Sequence, residues 1–137
     1  MKINLLLDTH AWIWLVLGES RISKSEFGKA LLKEENLNLF VSSISLWEIA
    51  MLVSKEKLKL TMDTRIWLEK FLKITHTIVL EIDPDIAVKS TSLDGFHGDP
   101  ADRIIVATSI QKKAKLVTAD KSILKYCKSN KIDFLKI

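Results

Sequence analysis

Residues 2–18 read KINLLLDTHAWIWLVLG, and the order of elements in this stretch indicates the architecture of the chain. Its first seven residues form a short, almost wholly apolar run, which is typical of a strand buried on both faces of a sheet. The apolar residues after Asp8 continue without a break, so we predict a helix over residues 9–18 that ends near Gly18. A buried strand that leads directly into a helix indicates a parallel sheet covered by helices.

The rest of the chain continues this alternation of strands and helices. Asp83-Pro84 and Asp99-Pro100 each look like a helix start, with Asp as the N-cap and Pro at the first helical position. We predict further strands over 37–42, 76–82, 114–118 and 132–137, the last one at an edge, and helices over 23–35, 44–57, 62–74, 84–93, 100–113 and 119–130. The pattern predicts an α/β fold, a three-layer α/β/α arrangement with a parallel central sheet, as a single domain over residues 1–137.

Composition is that of a globular domain with one core. The chain has 137 residues, of which 47% are hydrophobic and 28% charged. Cys127 is the only cysteine, so no disulfide can form within the chain, and this suits a reducing cytoplasm. Asp8 and His10 interrupt the apolar N-terminal run, and no run reaches membrane-spanning length. We therefore expect a cytoplasmic protein with no membrane partner.

Positive charge is concentrated in the last fifth of the chain. Residues 1–110 carry 13 Lys and Arg against 15 Asp and Glu, whereas residues 111–137 carry 8 Lys against 2 Asp. A basic segment next to an acidic cluster suggests a polyanionic partner, and Lys112, Lys113 and Lys115 are candidate contacts. The alternative is that these lysines are the solvated faces of the last helices.

Acidic residues follow the predicted strands at one edge of the sheet. Asp8 ends the first strand, Asp120 lies just past the fourth, and Glu48 lies about one turn into the helix after the second. Asp99 and Asp102 open another helix, and such openings also cluster at one edge of this architecture. Because ligands bind beyond the carboxyl ends of strands in open α/β sheets, we expect these carboxylates to converge.

Each acid also has a purely structural explanation. Asp8 can start the following helix, Ser45 and Glu48 match a capping box, and Asp99 and Asp102 suit a first helical turn. Two observations favour a site instead. Glu48 stands in a helix with little polar surface, where a buried carboxylate needs a partner or a metal. Acids that gather at one point also repel one another unless a cation neutralises them.

The candidate ligands are all oxygen atoms, which suits Mg²⁺ or Mn²⁺. A zinc site is not indicated, because the histidines form no ligand pattern and a single Cys cannot supply one. The chain has no glycine-rich phosphate loop, so dinucleotide and nucleoside triphosphate roles lack their usual phosphate-binding loop. The sequence predicts a carboxylate-held Mg²⁺ or Mn²⁺ site.

Four segments in order, LLLDTHAWIW, SSISLWEIAML, HGDPADRIIVATS and LVTADKSI, resemble the PIN-domain ribonucleases, and within them the VapC-type toxins of bacterial toxin–antitoxin pairs. The resemblance extends over essentially the whole chain and implies Mg²⁺- or Mn²⁺-dependent hydrolysis of RNA. It assigns the family's acidic quartet, which holds the metal and acts in catalysis, to Asp8, Glu48, Asp102 and Asp120. It gives supporting roles to the residues Thr9, Asp99 and Thr118.

The resemblance further implies a cognate antitoxin protein that covers the site and a homodimeric toxin. The large apolar residues of AWIWLVL and ISLWEIAML are consistent with such surfaces, although Trp12, Trp14 and Trp47 can equally be core residues. Arg103 can hold the RNA backbone by charge or be an ordinary surface residue. The alternative function is a non-catalytic RNA- or protein-binding module on the same fold.

Overall fold

The computed structural model of the chain describes residues 2–33 and 36–137, and within them it forms five strands and eight helices. The strands are β1 (Ile3–Leu7), β2 (Leu37–Ser42), β3 (Thr77–Leu80), β4 (Lys115–Thr118) and β5 (Phe134–Lys136). The helices are α1 (Thr9–Leu17), α2 (Ser20–Ser23), α3 (Glu26–Lys33), α4 (Ser43–Ser54), α5 (Thr64–Ile74), α6 (Pro84–Ser90), α7 (Pro100–Lys112) and α8 (Lys121–Ser129).

The strands form one parallel sheet in the order β3-β2-β1-β4-β5, which confirms both the predicted parallel sheet and the edge position of the last strand. Strand β1 lies at the centre, where Leu7 is in register with Val41 of β2 and Val117 of β4. All the strands therefore point their carboxyl ends to the same edge, and the residues that follow β1 and β4 are neighbours there.

Apolar side chains cover both faces of β1, as its unbroken hydrophobic pattern predicts. Leu5 and Leu7 pack on one face with Trp12 of α1, while Leu6 packs on the other face with Ile105 of α7. All five of these side chains are fully buried. Because each face of the sheet has its own core beneath its own helices, the predicted three-layer α/β/α arrangement is confirmed.

The predicted helix over residues 23–35 is wrong at its start, and residues 34 and 35 lie outside the described residues. A short helix, α2, precedes it, and α3 begins only at Glu26. A Cβ atom on Gly28 would lie 2.0 Å from the carbonyl oxygen of Ile22. The helices can therefore meet this closely only because residue 28 has no side chain. The other predicted bounds differ from the observed ones by at most three residues.

None of the helices in the described ranges offers an apolar span long enough to cross a bilayer. The longest of them is α7, with 13 residues.

Candidate active site

The predicted acids line one cleft of about 310 Å³ at the carboxyl edge of the sheet. The residues of its wall come from four segments that are distant in sequence: Asp8, Thr9, His10, Trp14, Glu48, Asp99, Asp102, Ala119 and Asp120. Parallel strand order produces this convergence, since β1 and β4 are adjacent and each is followed directly by a helix that begins at this edge. The structure thus brings Asp8, Glu48, Asp102 and Asp120 together at one cleft, as predicted.

Asp8 is the buried acid of the cleft, with 7% of its surface exposed. It caps α1, because its Oδ1 accepts a hydrogen bond of 2.8 Å from the backbone N–H of Ala11. Burial raises the pKa of the Asp8 carboxyl, while the hydrogen bonds from Thr118 and Ala11 act in the opposite direction by favouring the ionised form. Asp8 therefore serves as both helix cap and cleft residue.

Thr118, the last residue of β4, connects two of the acids. Its hydroxyl donates to Oδ2 of Asp8 and accepts a hydrogen bond of 3.0 Å from the backbone N–H of Asp120. Thr118 is fully buried, so water does not compete for these two hydrogen bonds. Asp120 in turn caps α8, since its Oδ1 accepts from the N–H of Ile123 at 2.9 Å. The hydroxyl of Thr118 thus fixes the spacing between the end of β1 and the start of α8.

The capping box that was the structural alternative for Ser45 and Glu48 does not form. Helix α4 begins at Ser43, three residues before a helix capped by Ser45 would begin. Its N-cap is Ser42, whose side chain accepts from the N–H of Ile44 at 3.2 Å. Ser45 is instead a buried residue within the helix. The carboxylate of Glu48 is therefore free to face the cleft rather than its own helix start.

Thr9 holds Glu48 in place across the cleft wall. The Thr9 hydroxyl donates to Oε1 of Glu48 and lies 2.9 Å from the hydroxyl of Ser45. Partial burial is the largest cause of the raised pKa of Glu48, and the negative charges of Asp99 and Asp8 raise it further. Thr9 was predicted as a supporting residue. The contact of Ser45 with it was not predicted, and its signal in the sequence is a serine within a largely apolar helix.

Asp99 and Asp102 occupy the two positions expected from their spacing. Asp99 caps α7 by accepting from the backbone N–H of Asp102 at 2.8 Å, which leaves the carboxylate of Asp102 outside the cap. Desolvation first, and then the charges of Asp99, Asp120, Glu48 and Asp8, together raise the pKa of Asp102 from 3.8 to about 7. The other four acids of the cleft thus all contribute to the raised pKa of Asp102.

A glycine permits the chain to approach Asp102 closely. A Cβ atom on Gly98 would lie 3.0 Å from the Cβ of Asp102 and 2.4 Å from the ring of Phe96. The first distance is tighter than most side-chain contacts and the second requires the ring of Phe96 to shift, so a larger residue at position 98 would disturb the packing beside Asp102.

The donor set suits a hard divalent cation. Five carboxylates line the cleft, and neither Lys nor Arg is among its lining residues within the described ranges. In those ranges no three His, Cys, Asp or Glu side chains stand close enough together to enclose an ion directly. Cations such as Mg²⁺ keep several waters and bind through one or two carboxylates, so this spacing fits a hydrated ion.

The basic residues predicted to bind RNA do not lie at the cleft. Arg103 donates from Nε to the carbonyl of Ser90 at 2.9 Å and from Nη1 to the carbonyl of Phe96 at 2.6 Å. Its guanidinium thus ties the end of α6 to the following loop, a structural role that the sequence did not predict.

The predicted lysine contacts are displaced from the acids by the length of a helix. Lys112 and Lys113 lie at the C-terminal end of α7, about 20 Å along the helix from its start at the cleft, and Lys115 begins β4 at the opposite edge of the sheet. Lys112 is also paired with Asp83 at 3.2 Å. The three lysines therefore do not line the cleft, and their contact with RNA elsewhere on the surface stays a prediction.

Two cleft residues, His10 and Trp14, were not predicted to belong to the site. Their rings lie 5.8 Å apart, and the guanidinium of Arg21 lies 4.0 Å above the ring of Trp14. Their spacing of four residues on α1 is the signal that could have placed both beside Asp8.

From the sequence, three tryptophans could each be a core residue or part of an interaction surface. In the structure Trp12 is core, Trp14 is half-buried and Trp47 is 56% exposed.

Comparison with known proteins identifies relatives of this chain. Ribonuclease VapC22 of Mycobacterium tuberculosis is 33% identical over 121 residues, which are 88% of this chain and 89% of that protein. The structure of VapBC2 from Rickettsia felis bound to a promoter DNA fragment superposes with a TM-score of 0.73 at 18% identity and covers 98% of this chain and 99% of that one. A toxin–antitoxin complex from Klebsiella pneumoniae gives 0.57 at 21% identity and covers 85% and 86%.

At these identities the two solved structures support the fold, whereas family membership rests on the sequence. The chain matches the PIN domain over residues 5–129, a range that includes every acid of the cleft. This match, together with the relative that is one-third identical over nearly its full length, shows that the chain belongs to the PIN-domain family.

Proposed function

We propose that this protein is an endoribonuclease that hydrolyses RNA phosphodiester bonds in the acid cleft with Mg²⁺ or Mn²⁺, and that it is the toxin of a toxin–antitoxin pair. One observation carries the proposal, namely the convergence of Asp8, Glu48, Asp102 and Asp120 on one cleft. The identity with a protein named as a ribonuclease supports the reaction. The structural likeness to a toxin–antitoxin complex supports the biological role.

The contacts of each acid indicate the role that it would have at a bound ion. Asp8, whose direction is fixed by Thr118, and the more exposed Asp102 and Asp120 would hold the ion directly or through water. When bound, such an ion is a Lewis acid that activates water and offsets charge on the phosphate. Glu48, which Thr9 orients from the other wall, would hold a second ion or the attacking water.

The variant Glu48→Gln tests the catalytic role of this acid. Gln can still accept the hydrogen bond from Thr9, so the local structure is retained, but the negative charge is lost. We expect RNA cleavage in Mg²⁺ to fall by roughly 10²-fold or more, the scale for loss of one transition-state charge contact. The melting temperature in EDTA should be at least that of the wild type, because one member of a repelling cluster becomes neutral.

Glu81→Gln is the matched control, because Glu81 is exposed and lies outside the cleft. It makes the same change of charge and should cleave RNA at the wild-type rate. Wild-type rates in Glu48→Gln would remove Glu48 from the site. Full cleavage by the wild type in excess EDTA would refute the metal requirement, and a folded protein without any cleavage would favour the non-catalytic binding module.

The toxin role implies an antitoxin that covers the cleft, and we propose Trp47 as a contact for it. Trp47 is 56% exposed, immediately precedes Glu48, and lines a small cavity of about 160 Å³ with Met51 and Leu52. An apolar side chain of a partner that fills this cavity would lie next to the catalytic acids. Trp47→Ala should therefore weaken inhibition of cleavage by the protein of the neighbouring upstream reading frame while cleavage itself is unchanged. Undiminished inhibition would refute this contact.

We also propose that the protein is a homodimer. Three large apolar residues are exposed on the edge strand β3 or within three residues of its ends: Ile74, Ile78 and Ile82. An edge strand with unpaired backbone groups and an apolar surface favours association with a second chain. A monomeric mass by light scattering at high concentration would refute the dimer.

A further inference from the structure

The acid cleft cannot by itself attract a polyanion. Its lining residues in the described ranges include five carboxylates and no Lys or Arg. A bound divalent ion offsets part of this charge at one phosphate, but the neighbouring phosphates of an RNA strand still face carboxylates. The attraction that brings RNA to the cleft must therefore come from a basic surface beside it.

Helix α8 carries such a surface, which we call the lysine face and define as Lys121, Lys125 and Lys128. At 100° per residue these three side chains fall within about 60° of one another and extend over about 10 Å of the helix. The opposite side of α8 packs into the core through the buried Ile123 and Cys127. All three lysines are exposed and therefore point to solvent.

The lysine face begins at the cleft and borders a groove. Asp120, which lines the cleft, caps α8, and Lys121 is the next residue. Lys136 of β5 lies across from the helix, and the four lysines together line a groove of about 420 Å³. A strand that leaves the cleft along α8 would thus meet positive charge immediately after the acids.

The side chains of the four lysines form no ion pair within the described ranges. The ion pairs there join Arg21 to Glu19, Arg65 to Glu69 and Lys112 to Asp83, and none of them involves α8 or β5. Like charges four residues apart destabilise a helix, so the lysine face is unfavourable in the protein alone. A row of phosphates would relieve this repulsion. If the lysines were only solvated surface residues, nothing would require them to lie along one side of the helix.

Two arginines beside cleft residues are already engaged. Arg21 is held by the carboxylate of Glu19 at 3.0 Å and stacks on Trp14, and Arg103 is bound to two backbone carbonyls. We propose that the lysine face of α8, with Lys136, binds the sugar–phosphate backbone of the RNA strand as it extends from the cleft. This inference rests on the proposed ribonuclease function for the identity of its ligand.

The test compares two triple variants that each remove three positive charges. Lys121→Gln, Lys125→Gln and Lys128→Gln together neutralise the lysine face. Lys59→Gln, Lys70→Gln and Lys73→Gln together are the control, because these exposed lysines lie on or just before α5, at the other edge and on the other face of the sheet. Thermal melting should show that both variants fold, with the first at least as stable as the wild type, since repulsion along α8 is removed.

Binding of a labelled single-stranded RNA of about 20 nucleotides is measured in EDTA at several salt concentrations, so that no cleavage interferes. Each phosphate contact on a single strand contributes about 0.7 to the slope of log K against log salt, so loss of three contacts should reduce the slope by about 2. The control variant should keep the wild-type slope. In Mg²⁺, KM for the long RNA should rise at least fivefold in the lysine-face variant, while cleavage of a trinucleotide stays at the wild-type rate.

The outcomes separate this inference from the proposed function. An unchanged slope in the lysine-face variant, or an equal decrease in both variants, overturns the inference even if the wild type cleaves RNA. A wild type that binds RNA through the lysine face but never cleaves it rejects the ribonuclease proposal and supports the binding surface. A wild type that does not bind the RNA at all overturns the inference.

Discussion

Replacing Asp102 by Asn should stabilise the metal-free protein at neutral pH. The pKa of Asp102 is raised from 3.8 to about 7, first by desolvation and then by the charges of Asp99, Asp120, Glu48 and Asp8. A shift of this size corresponds to about 4 kcal/mol for a fully buried group, at 1.36 kcal/mol per unit. Because Asp102 is only partly buried, solvent screening reduces this to about 1–2 kcal/mol.

A second effect of Asp102 has the opposite sign. An acid in the first turn of a helix gains about 0.3–1 kcal/mol from the helix dipole, and Asn forfeits this gain. The repulsion and desolvation of the carboxylate outweigh the helix dipole, so Asp102→Asn should still raise the melting temperature in EDTA at pH 7.5, by about 2–5 °C for a domain of this length.

The pH dependence follows from the direction of the pKa shift. The folded protein holds a proton on Asp102 up to about pH 7, whereas the unfolded chain releases it near pH 3.8. The stability that this proton contributes is full below the unfolded pKa and is lost as pH rises through the folded one. The advantage of the Asn variant should therefore grow between pH 5 and pH 7 and level off above about pH 7.5.

The assay is thermal melting in EDTA and in Mg²⁺ across this pH range. At a concentration of 100 times the dissociation constant, Mg²⁺ should stabilise the wild type by about 2.7 kcal/mol and Asp102→Asn by much less. Asp94→Asn, which removes an exposed acid outside the cleft, should change neither measurement. If Asp102→Asn melts below the wild type in EDTA at pH 7.5, the helix dipole outweighs the repulsion, and the reasoning about the cluster is wrong.

Individual contacts support three further predictions. Thr118→Val should cost about 1–3 kcal/mol in urea unfolding and reduce cleavage, because Asp8 loses a buried hydrogen bond, whereas Thr118→Ser should retain both properties; equal behaviour of the two variants would contradict this. Arg103→Met should cost about 2 kcal/mol by the same measurement, since two carbonyls lose a charged donor, but should leave the salt slope of RNA binding unchanged; a flatter slope would return Arg103 to the RNA surface. Ile78→Lys should give a monomeric mass by light scattering without loss of melting temperature, and a persistent dimer would exclude the edge of β3 as the interface.

The sequence by itself determined the layered α/β fold and the position of the acids. Residues 2–18 contain a strand buried on both faces and the helix that follows. Both are recognised from unbroken apolar runs and from the residues that bound them, which are local features of the sequence. The caps at Asp8, Asp83, Asp99 and Asp120 are equally local, because each carboxylate bonds a backbone N–H three residues ahead. Once the strands are parallel, acids at their carboxyl ends must meet.

Local pattern failed where two candidates were chemically equivalent. Ser42 and Ser45 can both cap a helix, and only Ser42 does, because β2 continues to that residue and α4 starts directly after it. In α5, Ile66 is 50% exposed, whereas its neighbour Trp67 is buried against Trp12. The orientation of that helix is set by the shape of the core it meets, which no window of the sequence contains.

Tertiary structure alone decided which polar groups are engaged and which remain free. The hydroxyl of Thr118 reaches Asp8 across 110 residues because β1 and β4 pair in a single register. Arg103 is held by carbonyls of two different segments, while the lysines of α8 have no ion pair within the described ranges. These outcomes depend on distances between segments that are far apart in sequence, and such distances exist only after the sheet and its two cores have formed.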